Sequence, residues 1–268
     1  KLKIYYYSST EYTICQEEIY RKMKKEKIDT QWQFGDMVNA GKTSNWYARD
    51  SQERFAQLLK RNISKEWKGV DIDYTFNKLG YRCDEFSENT KGCDVLFAGC
   101  SQSIGYGLLL EQTYGHIVST ELDIKYHNIG VSGSDWQHIG QRLAYWVPKL
   151  KPKVVVLRHP PDNRFNWWDK QTPVSTALWT ITQLMDCTVA ESRPLIDIID
   201  NTNAKWYHTS ILGFIRDLCN RNDVILIDDI KRKQEPNDSF ARDCNHNGVN
   251  YHKRIAKKLL KQLKEILH

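Results

Sequence analysis

The sequence predicts an α/β domain built on a parallel sheet, with a mainly helical extension ahead of it. Three observations carry that prediction. Val95-Leu96-Phe97-Ala98, Val154-Val155-Val156-Leu157 and Val224-Ile225-Leu226-Ile227 are apolar at every position, the pattern of strands covered on both faces. Stretches of helical periodicity lie between and after them, ending in the amphipathic run 249–267, and strands alternating with helices describe successive βα units. Residues 1–90 lack this alternation, so the expected division is an extension over 1–90 and an α/β domain over 91–268.

Within the extension, residues 2–7 form a tyrosine-rich, β-prone run, and 11–27 read as a charged helix with Ile14, Glu18 and Lys22 on successive turns. A polar and aromatic loop follows at 30–35. Asp50 or Ser51 is placed to cap a helix in which Phe55, Leu58, Leu59 and Ile63 recur at helical spacing. The aromatics Trp32, Phe34, Trp46, Tyr47 and Trp67 read either as a small core or as a surface that stacks on sugar rings or bases. Residues 73–82 read as a short strand and turn leading into the sheet.

In the second part the expected order is strand 95–98, helix 108–122, strand 125–129, helix 136–146, strand 154–157, helices 172–190 and 203–220, strand 224–227 and helix 249–267. Asp135 is placed to cap the helix at 136, and Pro148 to close it. Strands of a parallel sheet all point one way, so the turns after the first three open on one edge. That edge gathers Ser101, Gly133 and the loop 158–164 despite their separation in sequence.

Bulk properties narrow the classes. The chain has 268 residues, 40% apolar and 27% charged, enough to bury a full core and ordinary for a globular protein. No apolar run approaches the roughly 20 residues of a membrane span. The net charge of +6 is gathered in lysine-rich runs at 21–27 and 253–264. These read as solvated helix faces, so nucleic acid is not the expected partner, while an anionic polymer or glycan is compatible. Seven cysteines with no C-x-x-C pair favour free thiols in a cytoplasmic or otherwise reducing environment over a disulfide framework. No signal-peptide pattern opens the chain, which starts at Lys1.

The chemistry-bearing stretch is Gly99-Cys100-Ser101-Gln102-Ser103, at the end of the first apolar strand. Ser101 or Ser103 there reads as a nucleophile or as a helix cap. Asp243-Cys244-Asn245-His246, just before the last helix, spaces a carboxylate and an imidazole so that the Asp can hold one ring nitrogen and leave the other as a base. A G-x-S-x-G elbow would need Gly where Ser103 stands, and no G-K-[ST] phosphate loop follows Gly99. Asp228-Asp229 reads as a metal site or a loop cap, and His159 and His208 as structural histidines. No metal or other cofactor is expected.

These blocks resemble the SGNH (GDSL-type) hydrolases. Gly99-Cys100-Ser101 is similar to the family's G-D-S block with Cys in place of Asp, and Asp243-x-x-His246 to its D-x-x-H block. Asn128-Ile129-Gly130-Val131-Ser132-Gly133 is similar to its second block, and 77–82 to an N-x-x-G-[FY]-R segment found ahead of some such domains. The family's G-x-N-D block has no match; Arg158-His159-Pro160-Pro161-Asp162-Asn163 stands after the third strand instead. The resemblance spans residues 93–268. It implies a three-layer αβα, flavodoxin-like fold and a Ser101–His246–Asp243 triad. The implied oxyanion hole is made by the N–H groups of Ser101 and Gly133, with Asn163 the nearest candidate for the missing donor; losing one such donor costs roughly 10² to 10³ in rate.

The substrate side is read from the tryptophans. Trp167 and Trp168 beside Arg164, with Trp136, Arg158 and His159 on the same sheet edge, suit a saccharide face or an acyl group. The expected activity is hydrolysis of a small acyl ester, with an O-acetyl group on a saccharide as one substrate. Acyl transfer to a sugar hydroxyl and a non-catalytic binding or assembly role are the alternatives.

Overall fold

The structure is a computed structural model and describes residues 34–134, 136–158, 164–165, 179–180, 224–227 and 239–267. The chain divides into two compact units, Lys1–Trp32 and Gln33–His268, and every described residue lies in the second.

Ahead of the main sheet, β1 (Thr43–Ser44) pairs antiparallel with β2 (Tyr74–Thr75), and α1 (Gln52–Lys60) lies between them in sequence. Ser51 is the residue that caps α1, its side chain accepting the Arg54 N–H at 3.2 Å. Asp50 is used elsewhere. Tyr47, Trp67, Ile72, Tyr74 and Phe76 pack with Tyr106, Leu108 and Ala241 into one buried cluster. Of the two readings of the aromatics, Tyr47 and Trp67 follow the core one. Residues 77–82 form a tight turn in which Asn77 Oδ1 accepts the N–H groups of Leu79 and Tyr81. The turn delivers Arg82, buried, to four carbonyl oxygens, those of Asp73, Ile104, Gly105 and Leu108. Residues ahead of the sheet are thus bonded into the loop that follows the first sheet strand.

The main sheet contains β3 (Val95–Ala98), β4 (Tyr126–Asn128), β5 (Val154–Arg158) and β8 (Val224–Ile227), in the order β4-β3-β5-β8, all parallel. β6 (Arg164–Phe165) and β7 (Trp179–Thr180) form a separate antiparallel pair. Strand side chains alternate between faces, and the two cores follow that period. Leu96, Ala98, Val155 and Leu157 pack on Ile139, Leu143, Trp146 and Leu150 of α4 (Trp136–Leu150). Val95, Phe97, Val154 and Val156 pack on α3 (Tyr114–Leu122) and α5 (Val249–Leu267), through Tyr114, Val118, Ile255, Leu259 and Leu263. This is the three-layer α/β architecture. Each fully buried Leu or Ile in these cores is worth about 1.5–3 kcal/mol of transfer free energy.

The strands expected at 95–98, 125–129, 154–157 and 224–227 and the helix at 249–267 are present within a residue or two. Three expectations are corrected. The helix expected over 108–122 starts late: α2 (Ser101–Ile104) and a turn at Gly105 (φ +76°) and Gly107 (φ +69°) precede it, Leu110–Gln112 form only a 3₁₀ turn, and α3 starts at Tyr114 behind a Thr113 cap. Pro148 lies inside α4, which runs on to Leu150. A proline so near the end removes one hydrogen bond, and the fully buried Leu150 side chain holds the last turn on the core. Trp179–Thr180, expected within a helix over 172–190, are strand; the Trp-Thr-Ile-Thr sequence there is β-branched and aromatic, which favours a pleated surface. The elements expected at 2–7, 11–27 and 203–220 lie outside the described residues, as do Asp135, Asp228, Asp229 and His208. Among the described residues, Cys83, Cys93, Cys100 and Cys244 are free thiols, and no helix is long and apolar enough to cross a membrane.

His252 on α5 is buried against Tyr114, its ring stacked at 5.3 Å and its Nδ1 accepting the Tyr114 N–H at 3.1 Å. Burial, and then the positive charge of Arg158, lower its pKa from 6.5 to about 3. The unfolded chain therefore takes up a proton below about pH 6.5 that the native state refuses until about pH 3, so stability is complete above this window and is lost as pH falls through it. Urea unfolding at pH 7, 6 and 5 should show a decline to which His252 contributes up to about 1.4 kcal/mol per pH unit. His252→Gln should remove that share of the slope; equal slopes would rule the assignment out.

Candidate active site

Strand β3 ends on Ala98, and the chain must then reverse into α2 in very little space. A Cβ on Gly99 would lie 2.2 Å from Ser103 Oγ and 2.8 Å from Arg158 Cβ, so only glycine admits both neighbours. The turn is closed by Ser103 N–H donating to Cys100 O at 2.9 Å and by Val131 N–H donating to Gly99 O at 3.2 Å. Asn128, at the end of β4, braces it from the side: its Nδ2 donates to Ser103 O at 2.6 Å and its Oδ1 accepts the Gly130 N–H at 2.9 Å.

The two serines differ in their partners. Ser103 is buried, accepting from Tyr114 Oη at 2.8 Å and facing Ala98 O. Ser101 Oγ lies 2.8 Å from His246 Nε2, although Ser101 is only 4% exposed. His246 Nδ1 lies 2.6 Å from Asp243 Oδ2, and the other carboxylate oxygen accepts the N–H groups of Asn245 and His246 at 3.2 and 3.1 Å. Burial would push the Asp243 carboxyl upward, but the hydrogen bond and charge of His246 and these two N–H groups outweigh it. The net effect is a carboxyl held below its usual range. As a carboxylate it can only accept, so Nδ1 carries the proton of that bond, and it is Nε2 that faces the Ser101 hydroxyl, with a lone pair whenever the imidazole is neutral.

The loop bearing these residues is tied at its base. Phe240 bridges Asn247, Ala241 N–H donates to His246 O at 3.0 Å, and Gly248 N–H donates to Ser239 O at 2.8 Å, directly before α5 begins. Cys244 at its tip takes a left-handed conformation, φ +54°. Over the imidazole lies Tyr106, stacked at 4.5 Å and 23°. Its phenol accepts the Arg49 N–H at 2.6 Å and is pushed up to about 12, chiefly by burial, so it stays neutral.

The structure therefore brings Ser101, His246 and Asp243 into one hydrogen-bonded line. Ser101 N–H is the first of α2 and has no acceptor among the described residues. Gly133 sits in the turn after β4 with φ +76°. Arg158 ends β5, 8% exposed, with its guanidinium carbon 5.9 Å above the Tyr251 ring. Trp136 opens α4 and Arg164 lies in β6. His159, Asn163, Trp167 and Trp168 lie outside the described residues. No group of three or more metal-ligating side chains occurs among the described residues.

Sequence reasoning did not connect Tyr106 or Arg242 with this site, and read Asp50 only as a candidate helix cap. Arg242 adjoins Asp243, which was a usable signal; Tyr106 and Asp50 carry none, since their contacts are made at long sequence separation.

No protein-family model and no curated protein matches the chain. Solved structures to which it is similar include a G-D-S-L family protein from Desulfitobacterium hafniense DCB-2, 13% identical, with 65% of this chain and 99% of that one covered and a TM-score of 0.36. A family 2 carbohydrate esterase with a carbohydrate binding domain, from Corynascus thermopiles (Myceliophthora fergusii), is 14% identical over 70% of each chain, with a TM-score of 0.38. A Clostridium thermocellum family 3 carbohydrate esterase is 16% identical over 66% of this chain and 97% of its own, also at 0.38. Likeness at that level adds no weight to a functional assignment, which rests on the geometry above.

A methyl group at residue 99 has nowhere to go without moving Ser103 or Arg158. Gly99→Ala should lower stability by about 1–3 kcal/mol, the usual range for overpacking, read as a drop in denaturant midpoint. An unchanged midpoint would mean the turn is looser than its geometry indicates.

Proposed function

We propose that the protein is a serine esterase that hydrolyses small acyl esters, with O-acetyl groups on a saccharide as its substrate class. The observation that carries this reading is the line from Asp243 through His246 to Ser101 Oγ, with both hydrogen bonds at 2.8 Å or less. Ser101 Oγ would attack the ester carbonyl while its proton passes to His246 Nε2, and Asp243 stabilises the imidazolium that forms. The tetrahedral oxyanion would be met by the Ser101 N–H and by the Gly133 turn. As the C–O bond breaks, His246 returns the proton to the leaving alcohol. Water, deprotonated by the same imidazole, then cleaves the acyl-enzyme and restores Ser101.

The saccharide part of the proposal draws on the tryptophans at 136, 167 and 168 in the sequence, and the small acyl group on the burial of Ser101. Free thiols at 83, 93, 100 and 244 support our reading of a reducing compartment.

The test is hydrolysis of p-nitrophenyl acetate and butyrate by the wild type beside Ser101→Ala and His246→Ala, with acetate release from an acetylated oligosaccharide measured in parallel. Each variant should lose roughly 10⁴-fold or more in kcat while staying folded. A fluorophosphonate should label Ser101 in the wild type alone. Variants as active as the wild type would remove Ser101 from the chemistry, and a wild type no faster than its variants would end the esterase reading.

A further inference from the structure

The residue before Asp243 is a buried arginine, and every acceptor of its guanidinium comes from residues 45–70. Arg242 Nε donates to Asp50 Oδ1 and Oδ2 at 3.0 and 3.1 Å, and Nη2 to Asp50 Oδ2 at 2.7 Å. Nη2 also reaches Asn45 O at 2.5 Å, and Nη1 reaches Val70 O at 3.2 Å. The guanidinium carbon lies 4.1 Å from the centre of the Trp46 ring. Arg242 and Asp50 are each 1% exposed.

From Asp50 the bonding continues until it returns to its start. Tyr74 Oη donates to Asp50 Oδ2 at 2.6 Å, Gly107 N–H donates to Tyr74 Oη at 2.7 Å, and Arg242 N–H donates to Gly107 O at 3.0 Å. The last approach depends on glycine, because a Cβ on Gly107 would lie 2.9 Å from both Ala241 Cβ and Arg242 N.

Two members of this circuit are peptide neighbours of the groups that orient His246. Arg242 precedes Asp243, which holds Nδ1. Gly107 follows Tyr106, whose ring covers the imidazole and whose phenol accepts the N–H of Arg49, the residue before Asp50. We propose that Asp50 and Arg242 form a positioning clamp through which residues 45–74 set where Asp243 and Tyr106 hold the imidazole. The inference rests on the serine esterase reading above. Neither side chain touches the reacting atoms, so both act through the triad. The planar fork is required: a guanidinium fixes two directions at once, where an ammonium fixes a distance only.

The test compares Asp50→Asn, Arg242→Lys and the milder Tyr74→Phe with Leu263→Ala, which empties part of the core on α5 far from this circuit. The clamp predicts that Asp50→Asn and Arg242→Lys lower kcat at least tenfold with KM nearly unchanged, per folded molecule, and that Tyr74→Phe lowers it less. It predicts that Leu263→Ala loses thermal stability but keeps kcat. Retention of kcat by folded Asp50→Asn or by Tyr74→Phe would overturn the clamp while leaving the esterase reading intact. Hydrogen exchange at the Cys244, Asn245 and His246 amides gives a readout without substrate: protection should fall in the clamp variants and hold in Leu263→Ala. If the wild type hydrolyses no ester, the esterase reading fails by itself, and unchanged exchange in the clamp variants would still overturn the clamp.

Discussion

The active edge depends on backbone lying closer to backbone and to side chain than a Cβ permits. At Gly99 the turn that presents Ser101 is squeezed between the Ser103 hydroxyl and the Cβ and carbonyl oxygen of Arg158. That closeness lets Gly99 O accept from Val131 and Cys100 O from Ser103 within a few residues of the strand end. The turn after β3 is thereby joined to the turn after β4 and seated on Arg158, the last residue of β5. The sheet order matters here: β3 has β4 on one side and β5 on the other, which is where the chain direction of a doubly wound sheet splits and a crevice opens.

His246 reaches this surface by a different route. It sits in a loop whose base is tied at Gly248 and Ser239, immediately before α5. α5 in turn is fixed by Tyr251, Ile255, Leu259 and Leu263 packing on the sheet face that also carries Val95 and Phe97. The core that holds β3 therefore also holds the base of the histidine loop, and 145 residues of chain separation become a 2.8 Å contact. Fine positioning needs more than that, because a loop tied only at its base still swivels at its tip.

Much of this was legible. The three all-apolar runs and the amphipathic end of the chain marked the sheet and α5 because burial on both faces leaves a pattern in the residues themselves. Ser101, Asp243 and His246 were legible because each sits where chain geometry restricts residue choice, at a strand-to-helix glycine turn or at a fixed three-residue spacing. What was not legible was made by long-range pairing or by competition. No local feature says that Asp50 will meet Arg242 rather than cap α1, or that Tyr106 will cover an imidazole. The leucines at 108–110 look helical, yet 110–112 form only a 3₁₀ turn and the α-helix waits for the Thr113 cap, and Pro148 is overridden by the burial of Leu150 two residues on.

A buried Asp–Arg pair is an odd choice if stability alone is at stake. Removing both charges from water costs several kcal/mol per ion, and an apolar pair of similar volume often does as well or better. Deleting one partner is another matter, at about 3–5 kcal/mol, because the other charge is stranded. What an apolar pair does not supply is direction. Leucine packed on Trp46 would fill the space that Arg242 fills, yet it would leave the peptide between residues 242 and 243 free to rotate about its contacts. A guanidinium satisfied by Asp50, Asn45 and Val70 at once has one orientation, and the carboxylate on the next residue inherits it. The triad bond is 2.6 Å long on the Asp243 side, where a small rotation would lengthen it, so a charged and directional anchor one residue away is worth its desolvation.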